Sequence, residues 1–135
     1  MKRFVVLLAV GLGGLAYLLA TRSELDGNSA TATNHATMFV RNSLTTPLEV
    51  FRLHLGRYPA TDEGLSALIR APRASGGAWK GPYITEPTIP RDPWGREYQY
   101  RFPGIKNSSS YDLWSFGPDG IASDDDLGNW KQSQQ

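Results

Sequence analysis

The chain has no cysteine, which rules out disulfide staples, thiolate metal sites and a cysteine nucleophile. Histidine is nearly as scarce. His35 and His54 lie far apart with no partner His and no clustered carboxylate nearby, so neither reads as a metal ligand or a general base. An excess of one charge is also lacking: 14 basic and 13 acidic residues leave a net charge of +1, and no basic stripe marks a nucleic-acid footprint. A nucleophile elbow, a His–carboxylate pair, a Walker motif and a zinc signature are all missing, so neither an enzyme nor a small-molecule substrate is expected.

What the chain does contain starts with an apolar run, Phe4 to Ala20, behind Met1-Lys2-Arg3. Two positive residues ahead of such a run orient its start towards the cytoplasm. Its length is near the lower bound of roughly 17 residues for a membrane span, and the end, Y-L-L-A-T-R-S, offers no clean A-x-A cleavage site. Gly11, Gly13 and Gly14 inside the run fit close helix packing better than a phosphate loop, which needs a preceding strand and water. The expected organisation is a membrane anchor or signal segment over 1–22, a polar linker over 23–33, and one small domain over 34–135.

The domain opens with a helical pattern. Val40, Leu44, Leu48, Phe51 and Leu55 recur at helical spacing and form one apolar stripe. Pro47 interrupts it, which predicts either a kink or a fresh start with Thr46 as cap and Pro47 as the first helical residue. Gly56 should end the helix. Thr61 and Gly64 open a short second helix with Leu65, Leu68 and Ile69 on its apolar face. Asp62 and Glu63 sit in its first turn, where the helix dipole favours acids. Pro82, Pro87, Pro90 and Pro93 then predict an irregular surface path, with D-P-W-G as a turn. Tyr98, Tyr100 and Phe102 alternate with polar residues and read as a strand. A second strand runs from Tyr111 to Phe116, with Leu113 and Ser115 on one side and bulky Trp114 and Phe116 on the other.

Beyond Gly117-Pro118, four carboxylates, Asp119, Asp124, Asp125 and Asp126, fall within eight residues. Charge of one sign at that density is repulsive, and a hard cation held by several oxygens would offset it. The same residues also suit a solvated acidic turn or a helix cap. The spacing is not that of an EF-hand. Leu127 and Trp130 follow directly and should pin the loop to the body.

The ordered motifs R-Y-P-x-T-x-x-G-L-x-x-L (Arg57 to Leu68), W-x-G-P-Y (Trp79 to Tyr83), P-x-D-P-W-G-x-x-Y-x-Y (Pro90 to Tyr100), Y-D-L-x-S-x-G-x-D-G (Tyr111 to Gly120) and D-x-G-N-W (Asp126 to Trp130) resemble the major pseudopilin family of the type II secretion system, the G subunit. The resemblance spans roughly Leu48 to Trp130. It implies an α+β pseudopilin-like fold, an N-terminal helix packed on a small antiparallel sheet, with a C-terminal calcium-binding loop. The ligands it implies are the side chains of Asp119, Asp124 and Asp126, with Asp125 able to replace Asp124, and the carbonyls of Phe116 and Ile121. It further implies a structural subunit that works with other pseudopilins or secretion-system components in protein export across the outer membrane. Such a subunit would be single-pass in the inner membrane through residues 4–20, with its domain in the periplasm. The start of the chain departs from the family pattern: Phe4 follows Arg3 instead of Gly, and the fifth position from Phe4 is Leu8 instead of Glu. Prepilin-peptidase cleavage is therefore not expected, and filament assembly is disfavoured. The alternative reading is a periplasmic calcium-dependent carbohydrate- or peptide-binding module, with Trp79, Trp94, Trp114 and Trp130 as a stacking face.

Overall fold

The structure is a computed structural model, and it describes residues 29–131. The apolar run at 4–20 and the proposed anchor boundary at 22 lie outside the described residues. Among the described residues no helix is long and apolar enough to cross a membrane. The chain divides into two units, Met1–Ala32 and Thr33–Gln135. Residues 29–32 of the first are helical.

The second unit opens with helical residues 33–38, passes through a π-helical turn, Phe39–Ser43, and continues as helix α1, Thr45–Leu55. The break at Pro47 is thus a restart, but placed earlier than the sequence suggests: Thr45 is the first residue of α1 and Pro47 the third. The reason is that the first turn of a helix has no internal acceptors for its N–H groups, so Pro costs nothing anywhere in it. The wider π turn absorbs the change of register upstream, with the Thr45 hydroxyl donating back to the Arg41 carbonyl at 2.9 Å. Gly56 ends α1 in the left-handed conformation, φ 74°, donating its N–H to the Arg52 carbonyl at 2.7 Å.

The apolar stripe behaves as its spacing predicts. Val40, Leu44, Leu48 and Phe51 are buried and pack with Tyr58, Leu65, Leu68, Tyr98, Tyr111 and Leu113, while Leu55 lies at the margin. Leu65 and Leu68 come from a 3-10 turn, Leu65–Leu68, which replaces the expected second helix; Ile69 is only half-buried. Glu63 ahead of this turn is more than a dipole partner. Its two oxygens take both terminal nitrogens of Arg57, at 2.6 and 2.7 Å, and one also accepts the Ala60 N–H at 2.8 Å. The Arg57 guanidinium holds the Glu63 carboxyl below the ordinary carboxylate value.

Three short strands, β1 (Gln99–Arg101), β2 (Asp112–Ser115) and β3 (Leu127–Gly128), form an antiparallel sheet in the order β1-β2-β3. Tyr100 faces Leu113 across the first pair, and Ser115 faces Leu127 across the second. The α+β class follows. The two sides of β2 are those the alternation predicts: the Leu113 and Ser115 face enters the core, and Trp114 and Phe116 on the other face are half-buried. The Trp114 ring meets those of Phe116 and Trp130 at centroid distances of 6.3 and 6.1 Å, forming a partly covered aromatic cluster on the outer face.

Candidate metal loop

The acidic segment leaves the sheet at the end of β2, and its entry is fixed by a buried polar network. Ser115 is fully buried; its hydroxyl donates to Asp92 Oδ2 at 2.7 Å and accepts the Gly117 N–H at 3.1 Å. Asp92, itself buried, accepts the N–H groups of Trp94 and Arg96 on its other oxygen, at 3.0 and 2.8 Å. The D-P-W-G turn is therefore closed by its own aspartate and tied to β2 through one serine. Burial, with the Asp92 charge nearby, pushes the Tyr98 phenol up to about 12.

Arg96 links the same turn to the loop. Its Nη2 donates to the Gly117 carbonyl, and its Nε lies 3.8 Å from Asp92 Oδ2. Gly120, beside the Arg96 guanidinium, adopts φ 71°, a left-handed conformation that a side chain would strain.

The far end of the loop is held by β3 and by Asn129. The Asn129 side chain accepts the Leu113 N–H at 3.0 Å and donates to the Tyr111 carbonyl at 3.0 Å, so it extends the ladder past the two residues of β3. Its oxygen also accepts from Asn107 Nδ2 at 3.1 Å. Gly128 precedes it because the Trp130 ring lies 2.5 Å from where a Cβ would be. At the start of β2, buried Asp112 accepts three backbone N–H groups, from Ile105, Lys106 and Asn107, at 2.6, 2.8 and 2.9 Å.

Between these anchors Asp119, Asp124 and Asp125 are exposed, Asp126 is buried, Phe116 is half-buried and Ile121 is exposed. Asp119 Oδ1 accepts the Ile121 N–H at 3.1 Å, Asp126 Oδ1 accepts the Ser123 N–H at 3.3 Å, and Asp125 accepts the Ser123 hydroxyl. Burial raises the Asp126 carboxyl above its ordinary value, and the charges of Asp125 and Asp119 raise it further. The charges of Asp125 and Asp119 thus reach Asp126, although among the described residues no three acidic or His side chains are gathered closely enough to hold a metal ion. The donor chemistry, all oxygen with neither His nor Cys, suits a hard cation.

The sequence pointed to the carboxylates after the turn and passed over Asp92, Arg96, Asp112 and Asn129, which do the anchoring. An Asp directly before Pro-Trp-Gly was the available signal for Asp92, since an Asp at that place closes a turn through its own side chain.

The profile of the type II secretion system (T2SS) protein G family matches residues 25–130. The chain belongs to that family. It is 38% identical to the type II secretion system core protein G of Klebsiella pneumoniae, over 93% of this chain and 89% of the relative. It is 36% identical to the core protein G of Dickeya chrysanthemi, over 93% of this chain and 81% of that one. Among solved structures, the major pseudopilin of the type 2 secretion system of enterohaemorrhagic Escherichia coli superposes with a TM-score of 0.63 at 37% identity, covering 78% of this chain and 93% of that chain. The core protein G relatives and the solved fold agree with the motif resemblance. The protein is accordingly a structural, non-enzymatic pseudopilin of the type II secretion system, and its partners are other pseudopilins or components of that system.

Proposed function

We propose that this pseudopilin works as a periplasmic domain anchored in the inner membrane through residues 4–20, with calcium stabilising its C-terminal loop. The observation that carries the calcium reading is where the loop places Asp126: its carboxyl is raised above its ordinary value by burial and by the charges of Asp125 and Asp119, so a cation there would offset the negative charge gathered around it. The ion would be held by Asp119, Asp126 and either Asp124 or Asp125, with the Phe116 and Ile121 carbonyls completing an oxygen shell. Calcium tolerates such a flexible mixture of carboxylates and carbonyls better than magnesium does. Bound there, it supplies charge neutralisation and a cross-link between the turn after β2 and the strand β3.

Thermal unfolding of the full-length chain in calcium and in chelator tests this. At 100 times its dissociation constant the ion contributes about 2.7 kcal/mol, which raises Tm by several degrees. Identical curves in the two conditions would refute it. Titration calorimetry ranks the ligands: Asp119→Ala should weaken binding more than Asp125→Ala, because Asp124 can stand in for Asp125. The reverse order would reject this ligand set.

A further inference from the structure

The order β1-β2-β3 leaves β1 at one edge of the sheet. Leu113 turns its backbone towards the β3 side, where its N–H meets Asn129 Oδ1 and its carbonyl accepts the Asn129 N–H, both at 3.0 Å. Successive residues of a strand direct their polar groups to opposite sides, so Asp112 and Trp114 turn theirs towards β1, where Arg101 and Gln99 stand opposite. Tyr100, opposite Leu113, therefore directs its N–H and carbonyl away from the sheet. Phe102, two residues on, follows the same parity: its N–H donates to Thr61 Oγ1, and the Thr61 hydroxyl donates to the Phe102 carbonyl, both at 3.0 Å.

Thr61 thus stops the open edge at one end and leaves Tyr100 facing a groove of about 740 Å³, whose lining includes Ile69, Arg70, Ile89 and Arg91. That volume suits a short extended peptide. The groove carries unbalanced positive charge. Arg91 is engaged by the Gly95 carbonyl at 2.8 Å and by Glu97 at 3.8 Å, whereas the exposed Arg70 guanidinium has no hydrogen bond or ion pair among the described residues.

We propose that this groove docks an extended, acidic peptide segment of a partner protein. The segment adds to β1 as a fourth strand, pairing its backbone with Tyr100 and setting a carboxylate against Arg70. Main-chain pairing supplies affinity and the charge supplies selection. The proposal does not depend on the calcium reading.

The test uses the ¹⁵N-labelled full-length chain and the probe acetyl-Thr-Val-Asp-Val-Thr-amide. In the free chain the Tyr100 amide should exchange with solvent faster than those of Gln99 and Arg101, which face β2; saturating peptide should slow it more than ten-fold. Asp→Asn in the peptide should weaken binding about two- to five-fold, as loss of an exposed ion pair does, and Arg70→Glu, which reverses the charge, should weaken it more. N-methylation of the peptide backbone on its pairing side should abolish binding. A Tyr100 amide already protected in the free chain would overturn the proposal. So would equal binding of the N-methylated or Asn peptide, and so would protection that rises with protein concentration alone, which would assign the edge to a second copy.

Discussion

Ser115→Ala is the sharpest probe of how the loop is held. The substitution removes one oxygen from a fully buried site and changes no apolar contact, so its effect isolates the polar network. Two interactions are lost. Asp92 Oδ2 loses its 2.7 Å donor, and a hydrogen bond to a charged group contributes about 1.5–3 kcal/mol. The Gly117 N–H loses its acceptor at 3.1 Å, and an unsatisfied buried donor costs about 1–3 kcal/mol. Partial relaxation brings the expected destabilisation to about 3 kcal/mol, and a domain of this size should then lose more than about 10 °C in Tm. Urea unfolding at neutral pH measures it, with an unchanged m-value as the sign that the denatured state is unaffected. The double variant with Asp92→Asn should show coupling of at least about 1 kcal/mol, since both members act in one network. A Ser115→Ala cost below about 1 kcal/mol, or additive single effects, would refute the reasoning.

Two further outcomes follow from the carboxylates. Glu63 titrates below its ordinary value because of Arg57, so its contribution is present above the unfolded value of 4.5 and is lost as pH falls through the lower folded one; Glu63→Gln should cost about 1 kcal/mol at neutral pH, after allowing for screening of the half-open pair, and nothing at low pH in the same urea assay. Asp126 has the opposite sign: raised above 3.8, it favours the fold below that value and loses this contribution as pH rises through the folded value. Asp126→Asn should therefore raise Tm at neutral pH in chelator and lower it in calcium, and a scan with the same sign in both buffers would contradict the counter-charge argument.

The sequence made some of this legible and hid the rest for physical reasons. The stripe from Val40 to Phe51 was readable because burial on one helix face imposes a spacing. Gly56 was readable because a left-handed cap favours a residue without Cβ. The position of Pro47 within α1 was not, since every first-turn position tolerates it equally. β3 escaped notice because two residues carry no alternation, and its pairing is continued by the side chain of Asn129. For the loop, charge density named Asp119, Asp124, Asp125 and Asp126, but it could not distinguish buried Asp126 from its exposed neighbours. Asp92 and Asp112 stand apart from any acidic cluster, and their importance lies in donors supplied by backbone N–H groups, which every residue but proline carries.

Those two isolated carboxylates determine where the loop can respond. Asp112 gathers three N–H groups at the first residue of β2, and Asp92 holds the strand's last residue through Ser115. β2 is thus pinned at both ends by anions satisfied from within the fold, and hydrogen bonds to charged groups are among the stronger polar contacts. Asp119, Asp124 and Asp125 beyond Gly117 are exposed, and the strand that follows them, β3, has only two residues. A cation entering that loop would therefore reorganise the segment between Gly117 and Asn129 while β2 and α1 keep their positions. Hydrogen exchange should then show calcium-dependent protection at Asp126 to Asn129 with little change at Leu113. A cation would thus order the loop while Leu113 keeps its place, and the far end of the loop would stay tied to the π turn, where Arg41 donates to the Gly128 and Trp130 carbonyls, both at 3.4 Å.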